Sequence, residues 1–210
     1  MEERGLYMNR YFLNKEEADH LLEWCESKIS EMTHVGKRSN GRVVLQYSNI
    51  AGRIYAYGGT VNASKIHVMP PTISRLALRI QDYLSSIGID MPGVFTNCII
   101  NCYQPGQGIS KHTDDRKFGP VIACLTITRG FGRMMRFTDV DTVDFELFTP
   151  HGSLYVMSGD SRYLFEHEMK KRLKDYVSHL EYYDFDYLQD NGENGMYRLR
   201  DVVFSITFRC

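Results

Sequence analysis

A histidine and an aspartate that follow a glycine-containing turn carry the most distinctive chemistry in this sequence. His112 and Asp114 stand two positions apart, shortly after a turn at residues 105–108. Residues i and i+2 of an extended segment point to the same side, so the imidazole and the carboxylate are expected to converge. His167, in a Glu-His-Glu run further along the chain, is the candidate third ligand. Two imidazole nitrogens and one carboxylate oxygen form the facial set that holds Fe(II) with open coordination positions, so these three residues are predicted to bind one iron.

The surroundings of this motif decide how much weight it carries, because an H-x-D triplet alone is common. A lone histidine near the end of a strand is more often a surface or core residue than a ligand. The context that favours a metal site is the alternating segment 95–103, the glycine turn after it, and the C-terminal strand described below. His151 has no such context, since it follows a proline at a turn, and it is predicted to lie on the surface.

Composition indicates one soluble globular domain spanning residues 1–210, with no general affinity for polyanions. The chain has 43% hydrophobic and 24% charged residues, which is ordinary for a globular fold. Its net charge of −1 provides no basic field for nucleic acid or an anionic membrane, so any such contact must be local. Five scattered cysteines without a C-x-x-C pair argue for a reducing compartment. With no signal peptide or transmembrane run recognisable, a cytoplasmic or nuclear location is predicted.

Two amphipathic helices are predicted before a run of short strands. Asn14 and Glu17 have the spacing of a helix N-cap and its reciprocal acid, and Pro70-Pro71 opens the second helix. The segments with strand character are residues 95–103, 121–128, 134–138, 144–148, 153–157 and 202–208. This spacing predicts an α+β fold in which both helices pack on one sheet of a sandwich or jelly roll. Residues 1–93 would hold the helices and a substrate lid, and residues 94–210 the jelly-roll core.

The last strand is predicted to have one polar and one apolar face. Alternation places Val203, Ser205, Thr207 and Arg209 on the same side of it. An arginine that faces the interior is costly to bury unless an anion pairs with it. A buried anionic ligand is therefore predicted beside Arg209.

The polar, glycine-bearing stretch at residues 42–65 is predicted to form a substrate lid. It carries Tyr47, Tyr55 and Tyr57 together with Arg42 and Arg53. Aromatic faces and guanidinium groups stack on nucleobases, which suits a lid over a nucleic acid. The alternative is an ordinary edge hairpin with exposed tyrosines.

Taken together, these motifs resemble those of the AlkB family of Fe(II)- and 2-oxoglutarate-dependent dioxygenases. The matching residues, in chain order, are Asn101-x-Tyr103, residues 105–109, His112-x-Asp114, Phe118-Gly119-Pro120, residues 158–163 followed by His167, and Ser205-x-Thr207-Phe208-Arg209. The resemblance is detailed from about residue 96 to residue 209. The first helix and residues 47–59 are similar in outline only.

The resemblance implies a double-stranded β-helix core that uses Fe(II), 2-oxoglutarate and O2. His112, Asp114 and His167 would be the iron ligands. The co-substrate site would comprise Arg209 and Asn101 at the iron-chelating end, Tyr103 and Ser205 at the distal carboxylate, and Thr207 on the same strand face. These roles agree with the chemistry, because 2-oxoglutarate is a dianion and arginine offers two parallel donors to a carboxylate.

Val203 is the main departure from the family pattern. The family usually has a second arginine six residues before the terminal one, where it pairs with the distal carboxylate. A carboxylate without such a partner is penalised inside a barrel. The candidate replacements are Arg198, Arg200, Arg129 and Arg133. Without a replacement, the co-substrate would bind weakly or activity would be lost.

Arg116 is a second departure, and it concerns the substrate. Relatives that repair bases often place a carboxylate at this position against the nucleobase, and Asp115 is the nearby substitute. Asp115 and Arg116 therefore join Tyr47, Tyr55 and Tyr57 as candidate substrate-binding residues.

The function implied is hydroxylation or oxidative demethylation of an alkylated or methylated nucleic acid, either RNA or single-stranded DNA. A protein hydroxylase or demethylase would use the same metal residues and differ in the lid. A catalytically silent AlkB-like binding module is suggested by Val203, and a metal-free jelly-roll interaction protein would leave Arg209, Asn101 and His167 unexplained. A monomer without a membrane partner is expected.

Overall fold

The computed structural model describes residues 2–35, 41–49, 66–139, 144–178 and 195–210. The helices are α1 (Lys15–Ser27), α2 (Pro71–Ser86) and the short α3 (Gly159–Tyr163). The strands are β1 (Leu6–Asn9), β2 (Thr33–His34), β3 (Val43–Ser48), β4 (Ile66–His67), β5 (Asn97–Tyr103), β6 (Ile109–His112), β7 (Ile122–Thr128), β8 (Gly132–Thr138), β9 (Asp144–Pro150), β10 (Leu154–Met157), β11 (Glu166–Met169), β12 (Lys174–Ser178), β13 (Gly195–Leu199) and β14 (Val203–Arg209).

Both predicted helices begin where their capping residues indicate. The Asn14 side chain accepts the Glu17 N–H at 2.9 Å, and the Glu17 carboxylate accepts the Asn14 N–H at 3.0 Å. This reciprocal pair confirms the predicted capping box. Helix α2 begins at Pro71, where a missing N–H has no cost, and Gly88 follows its end with a φ of 75°.

The strands form two facing sheets, which confirms the predicted jelly roll. The large sheet has the order β1-β10-β7-β14-β5-β3-β2, with β4 paired to β3, and the small sheet has the order β6-β11-β8-β9. Strands β12 and β13 form a separate hairpin. Within these sheets the described pairings are antiparallel except for β3 with β4. Antiparallel sheets can bury one face and leave the other to be covered by helices.

Two apolar layers lie on opposite faces of the large sheet. The layer under the helices joins apolar side chains of α1 and α2 to the outer face of the sheet, including Phe204, Ile206 and Phe208. The layer between the two sheets includes Val203 and Tyr103. Strand β14 thus has the alternation that the sequence predicts, since successive residues of a strand face opposite sides. No helix of the described residues is long and apolar enough to cross a bilayer.

The N-terminal strands join the large sheet instead of staying apart from it. Strand β1 pairs with β10, and β3 pairs with β5 along six residues. The predicted division at residue 94 therefore does not separate the sheet from what precedes it. Tyr55, Tyr57 and Arg53 of the predicted lid lie outside the described residues.

Gly108 is held where the turn before β6 meets β11, and replacing it by alanine is expected to destabilise the fold. A Cβ at position 108 would collide with the backbone oxygen of Met169, and an overpacked backbone contact costs about 1–3 kcal/mol. Urea unfolding of Gly108→Ala measures this loss. Gly93→Ala is the matched control, because nothing lies within 4 Å of its added Cβ. Both changes restrict the unfolded chain equally, so equal stabilities of the two variants would contradict the expected clash.

Candidate functional site

His112 and His167 face each other across two paired strands of the small sheet. His112 ends β6, His167 lies near the start of β11, and the two are direct partners in the antiparallel register. Their ring centroids are 4.4 Å apart. The close approach follows from antiparallel pairing, which places opposite side chains on the same face of the sheet.

A backbone contact fixes the His112 ring. Its Nδ1 lies 2.8 Å from the carbonyl oxygen of Ser110. Because a carbonyl only accepts hydrogen bonds, Nδ1 carries the proton and Nε2 keeps its lone pair. A histidine that donates its second ring N–H to a backbone carbonyl is the usual support of a metal ligand.

Asp114 and His167 complete the group in a buried position. Asp114 is 5% exposed and His167 is 6% exposed, and His167 Nε2 lies 3.6 Å from an Asp114 carboxylate oxygen. Burial lowers the pKa of His167 to about 4, an effect that the Asp114 carboxylate opposes. The imidazole is therefore neutral near pH 7, which is the form that ligates metals. Among the described residues its buried Nδ1 has no hydrogen-bond partner.

Arg209 joins the predicted metal residues to the last strand. Its Nη2 donates to an Asp114 carboxylate oxygen at 2.6 Å, and its guanidinium lies 4.4 Å from the centroid of the Phe118 ring. In this arrangement no set of three or more His, Cys, Asp or Glu side chains within the described residues forms a metal cluster. The donors nonetheless fit Fe(II) chemically, because they are two imidazoles, one of them with an oriented ring, and one carboxylate.

One cavity connects these residues to the polar face of β14. It encloses about 650 Å³ of space not filled by atoms, a volume that includes open solvent. Its lining includes His112, Asp114 and His167 together with Asn101, Tyr103, Val203, Ser205, Thr207 and Arg209. The register of β14 with β5 explains why these polar residues lie together, since Ser205 is opposite Asn101 and Val203 is opposite Tyr103.

Besides its charged side chains, the cavity wall carries neutral polar groups. Burial raises the pKa of Tyr103 far above neutral pH, so its phenol keeps its proton. Burial also raises the pKa of the Cys124 thiol, whose Sγ lies 3.0 Å from the Ser205 hydroxyl. Arg42 Nε donates to Asn101 Oδ1 at 2.9 Å, which leaves the Asn101 amide N–H groups as donors. These groups suit a carboxylate ligand.

Arg162 is a residue of this site that the motif analysis passed over. It is 2% exposed, and its guanidinium donates to the carbonyl oxygens of Asp114, Asp115, Phe118 and Gly119. It therefore holds the loop that carries the predicted carboxylate ligand. Its only signal in the sequence was its place in the segment 158–163.

The predicted substrate residues are placed differently. Tyr47 is 5% exposed and packs in the layer under the helices with its ring edge toward His67, so the lid role predicted for it is not supported. Asp115 and Arg116 are exposed on the loop after Asp114, and their contact with substrate stays a prediction. Tyrosine is intermediate between core and surface residues in its tendency to be buried, so a core position for Tyr47 is not unusual.

His151 corrects the surface placement predicted for it. It is half-buried, its Nδ1 accepts the Thr128 N–H at 3.0 Å, and its Nε2 lies 3.3 Å from an Asp19 carboxylate oxygen. Burial lowers its pKa, in keeping with a neutral ring that accepts a backbone hydrogen bond. It does not line the cavity.

Comparison with known proteins finds a family match and several relatives. The model of the 2OG-Fe(II) oxygenase superfamily matches residues 5–209. Mouse tRNA (carboxymethyluridine(34)-5-O)-methyltransferase ALKBH8 is 32% identical over 111 residues, which are 52% of this chain and 16% of that protein. Uncharacterized protein L905 of Acanthamoeba polyphaga mimivirus is 26% identical over 113 residues, covering 53% of this chain and 46% of that protein. The match thus spans less than half of either relative.

Solved structures share the fold along nearly the whole chain. OsALKBH1 is similar with a TM-score of 0.64 and 14% identity, covering 98% of each chain. A prolyl hydroxylase from Trichoplax adhaerens in complex with a hypoxia-inducible-factor peptide has a TM-score of 0.60 and 13% identity, covering 99% of this chain and 84% of that one. A Pseudomonas putida prolyl-4-hydroxylase has a TM-score of 0.55 and 16% identity, covering 98% and 92%. At these identities the likeness concerns the fold.

Proposed function

The chain belongs to the 2OG-Fe(II) oxygenase superfamily, and from that premise we propose that it hydroxylates or oxidatively demethylates an alkylated or methylated nucleic acid, RNA or single-stranded DNA. The observation that carries the catalytic part is the shared cavity: two histidines and an aspartate lie at one end of it, next to a strand face with a buried arginine and several neutral donors. A site of this kind suits a metal and a small dianion together.

His112, Asp114 and His167 would hold the iron in this proposal. Bound Fe(II), with O2 and 2-oxoglutarate, supplies an oxidant that inserts one oxygen into a C–H bond of the substrate while 2-oxoglutarate becomes succinate and CO2. The Ser110 carbonyl holds the His112 ring in the ligating tautomer. Arg209 orients the Asp114 carboxylate through their 2.6 Å contact, and supporting contacts of this type tune metal affinity.

The neutral donors of the cavity would bind the co-substrate. We assign the Asn101 amide, together with the Arg209 guanidinium, to the chelating end of the co-substrate, and the Tyr103 phenol and Ser205 hydroxyl to its distal carboxylate. Arg209 contacts Asp114, and Asn101 and Ser205 are direct partners four residues along the paired strands from Arg209. Protonated hydroxyl groups can donate to a carboxylate without adding charge. Exclusion of water by the apolar layer around Tyr103 and Val203 strengthens these contacts.

The nucleic-acid part of the proposal is supported by the relatives. The name of the mouse relative describes an enzyme that acts on tRNA, and the match to it covers about half of this chain. The near-neutral charge of −1 disfavours tight, sequence-independent duplex binding, which leaves locally recognised RNA or single-stranded DNA as the proposed substrate.

Succinate release by the purified protein tests the catalytic part. With Fe(II), ascorbate, O2 and 2-oxoglutarate we expect uncoupled succinate formation, and we expect methylated RNA or single-stranded DNA oligonucleotides to increase it. Mass spectrometry of the oligonucleotides should then show loss of a methyl group or gain of one oxygen. Absence of succinate with every substrate would favour the silent binding module instead. Turnover coupled to methylated or proline-containing peptides alone would transfer the proposal to protein substrates.

A further inference from the structure

Arg133 is a deeply buried cation that forms no salt bridge within the described part of the chain, and the more distant carboxylates of Asp175 and Asp201 favour its charged form. It lies on β8, is 1% exposed and lines the cavity. Its Nη2 donates to the backbone oxygen of Asp201, while Nε and Nη1 are buried without a hydrogen-bond partner among the described residues. Burial lowers the pKa of Arg133 to about 10, so it remains charged at neutral pH. A buried, incompletely paired guanidinium is costly unless an anion joins it.

The other arginines considered as substitutes for the side chain at Val203 are engaged away from the cavity. Arg200 makes two bonds to the Asp175 carboxylate, at 2.8 and 2.7 Å. Arg129 pairs with Glu26 near the surface, and the Arg198 guanidinium lies 4.4 Å from the centroid of the Phe131 ring. None of these three lines the cavity. Of the four candidate arginines, Arg133 is therefore the one that lines the cavity.

The guanidinium of Arg133 lies at the Val203 end of the last strand. The carbonyl that it binds belongs to Asp201, two residues before Val203 in the chain, and Val203 itself lines the same cavity. Arg209 is at the opposite end of that strand, bonded to Asp114. The cavity thus has one buried cation near the predicted iron ligands and a second one at its far end.

We propose that Arg133 binds the distal carboxylate of the 2-oxo-dicarboxylic acid co-substrate, taking from strand β8 the role that an arginine at position 203 would have. The inference rests on the proposed function, because it assumes that this cavity takes 2-oxoglutarate. Nε and Nη1 lie on different edges of the guanidinium, so each can donate a separate hydrogen bond to the carboxylate while Nη2 keeps its bond to the Asp201 oxygen. Tyr103, opposite Val203 in the register, offers a third donor at the same end.

Binding of two metal-dependent probes tests the proposal without turnover. With Zn(II) as a redox-inert metal, N-oxalylglycine carries both the chelating end and the distal carboxylate, whereas oxalate carries the chelating end alone. We expect Arg133→Met to bind N-oxalylglycine about 100-fold more weakly in calorimetry, as for the loss of one partner of a buried charge pair. Oxalate binding should not change. Arg133→Lys keeps the charge but not the planar set of N–H donors, so its N-oxalylglycine affinity should lie between those of Arg133→Met and wild type.

Val203→Arg in the Arg133→Met background is the rescue variant. It returns a guanidinium to the same end of the cavity from a strand of the facing sheet, and we expect it to recover most of the N-oxalylglycine affinity. The melting temperature of the ligand-free Arg133→Met protein should stay the same or rise, because a buried unpaired charge is removed. A purely structural arginine would instead lower it.

The outcomes separate this inference from the proposed function. If wild type binds neither probe, the 2-oxoglutarate site itself is wrong. If wild type binds N-oxalylglycine and Arg133→Met binds it equally well, another group holds the distal carboxylate. Arg133→Met could also lose oxalate binding or fail to fold, and a second measurement then decides. The Nε–H NMR signal of Arg133 in the wild-type protein, identified by its absence from Arg133→Lys, should shift with N-oxalylglycine and not with oxalate. Absence of that shift overturns the inference.

Discussion

Replacing His167 by alanine is expected to reduce 2-oxoglutarate turnover by more than about 100-fold, which exceeds the roughly 10–100-fold effect of altering a residue that only supports a ligand. His167 is buried, its ring centroid lies 4.4 Å from that of His112, and its Nε2 lies 3.6 Å from an Asp114 carboxylate oxygen. Its removal leaves one nitrogen and one carboxylate donor, which is too few to hold Fe(II) against water. Succinate formed per folded molecule is the measurement, together with the Fe(II) retained after desalting.

His151→Ala is the matched control for this experiment. His151 is also a partly buried, neutral histidine, but it accepts a backbone N–H from Thr128 and lies off the cavity. We expect it to lower the melting temperature while leaving turnover per folded molecule and bound iron unchanged. Far-UV circular dichroism should show that His167→Ala keeps its fold. Turnover like that of wild type in His167→Ala would remove the proposed ligand set.

Sequence reasoning succeeded where short-range rules decide the structure. The Asn14 capping box depends on residues three apart, and the two faces of β14 depend on alternation, so both could be predicted from local spacing. The meeting of Arg209 with Asp114 required more, since it joins distant segments. The cost of burying an arginine predicted an anionic ligand beside Arg209, and the anion that the structure places there is the Asp114 carboxylate.

The parts that sequence reasoning missed depend on long-range packing. Strand β1 has four residues and pairs with β10, far away in the chain, and so short a segment carries little periodicity. Tyr47 has the composition of a stacking residue, yet its strand lies inside the large sheet and the helices cover that face. Arg162 donates to backbone carbonyls, which no residue type in the sequence reveals, and Arg133 could be named from the sequence only as one of four candidate replacements at Val203.

Arg162→Met is expected to destabilise the fold by about 3–5 kcal/mol, because several buried carbonyl oxygens would lose a charged donor at once. Its Nη2 reaches the oxygens of Asp115 and Phe118 at 2.7 and 2.9 Å, and its Nη1 reaches that of Asp114 at 3.0 Å. Arg162→Lys should recover part of the loss, since an ammonium keeps the charge but cannot reach all of these oxygens. Urea unfolding of the metal-free proteins measures the change.

Metal affinity distinguishes a positioning role of Arg162 from mere support of the fold. If Arg162 sets the place of Asp114, the folded Arg162→Lys protein should bind Fe(II) or Zn(II) about 10–100-fold more weakly. Gly108→Ala is the control for lowered stability. It strains the turn before β6 and leaves Arg162 intact. Arg129→Met, which removes only a pair at the surface, should change neither quantity measurably. If metal binding is weak in Arg162→Lys alone, Arg162 positions the Asp114 carboxylate for the metal. An equal loss of metal affinity in Gly108→Ala would instead assign the effect to lowered stability.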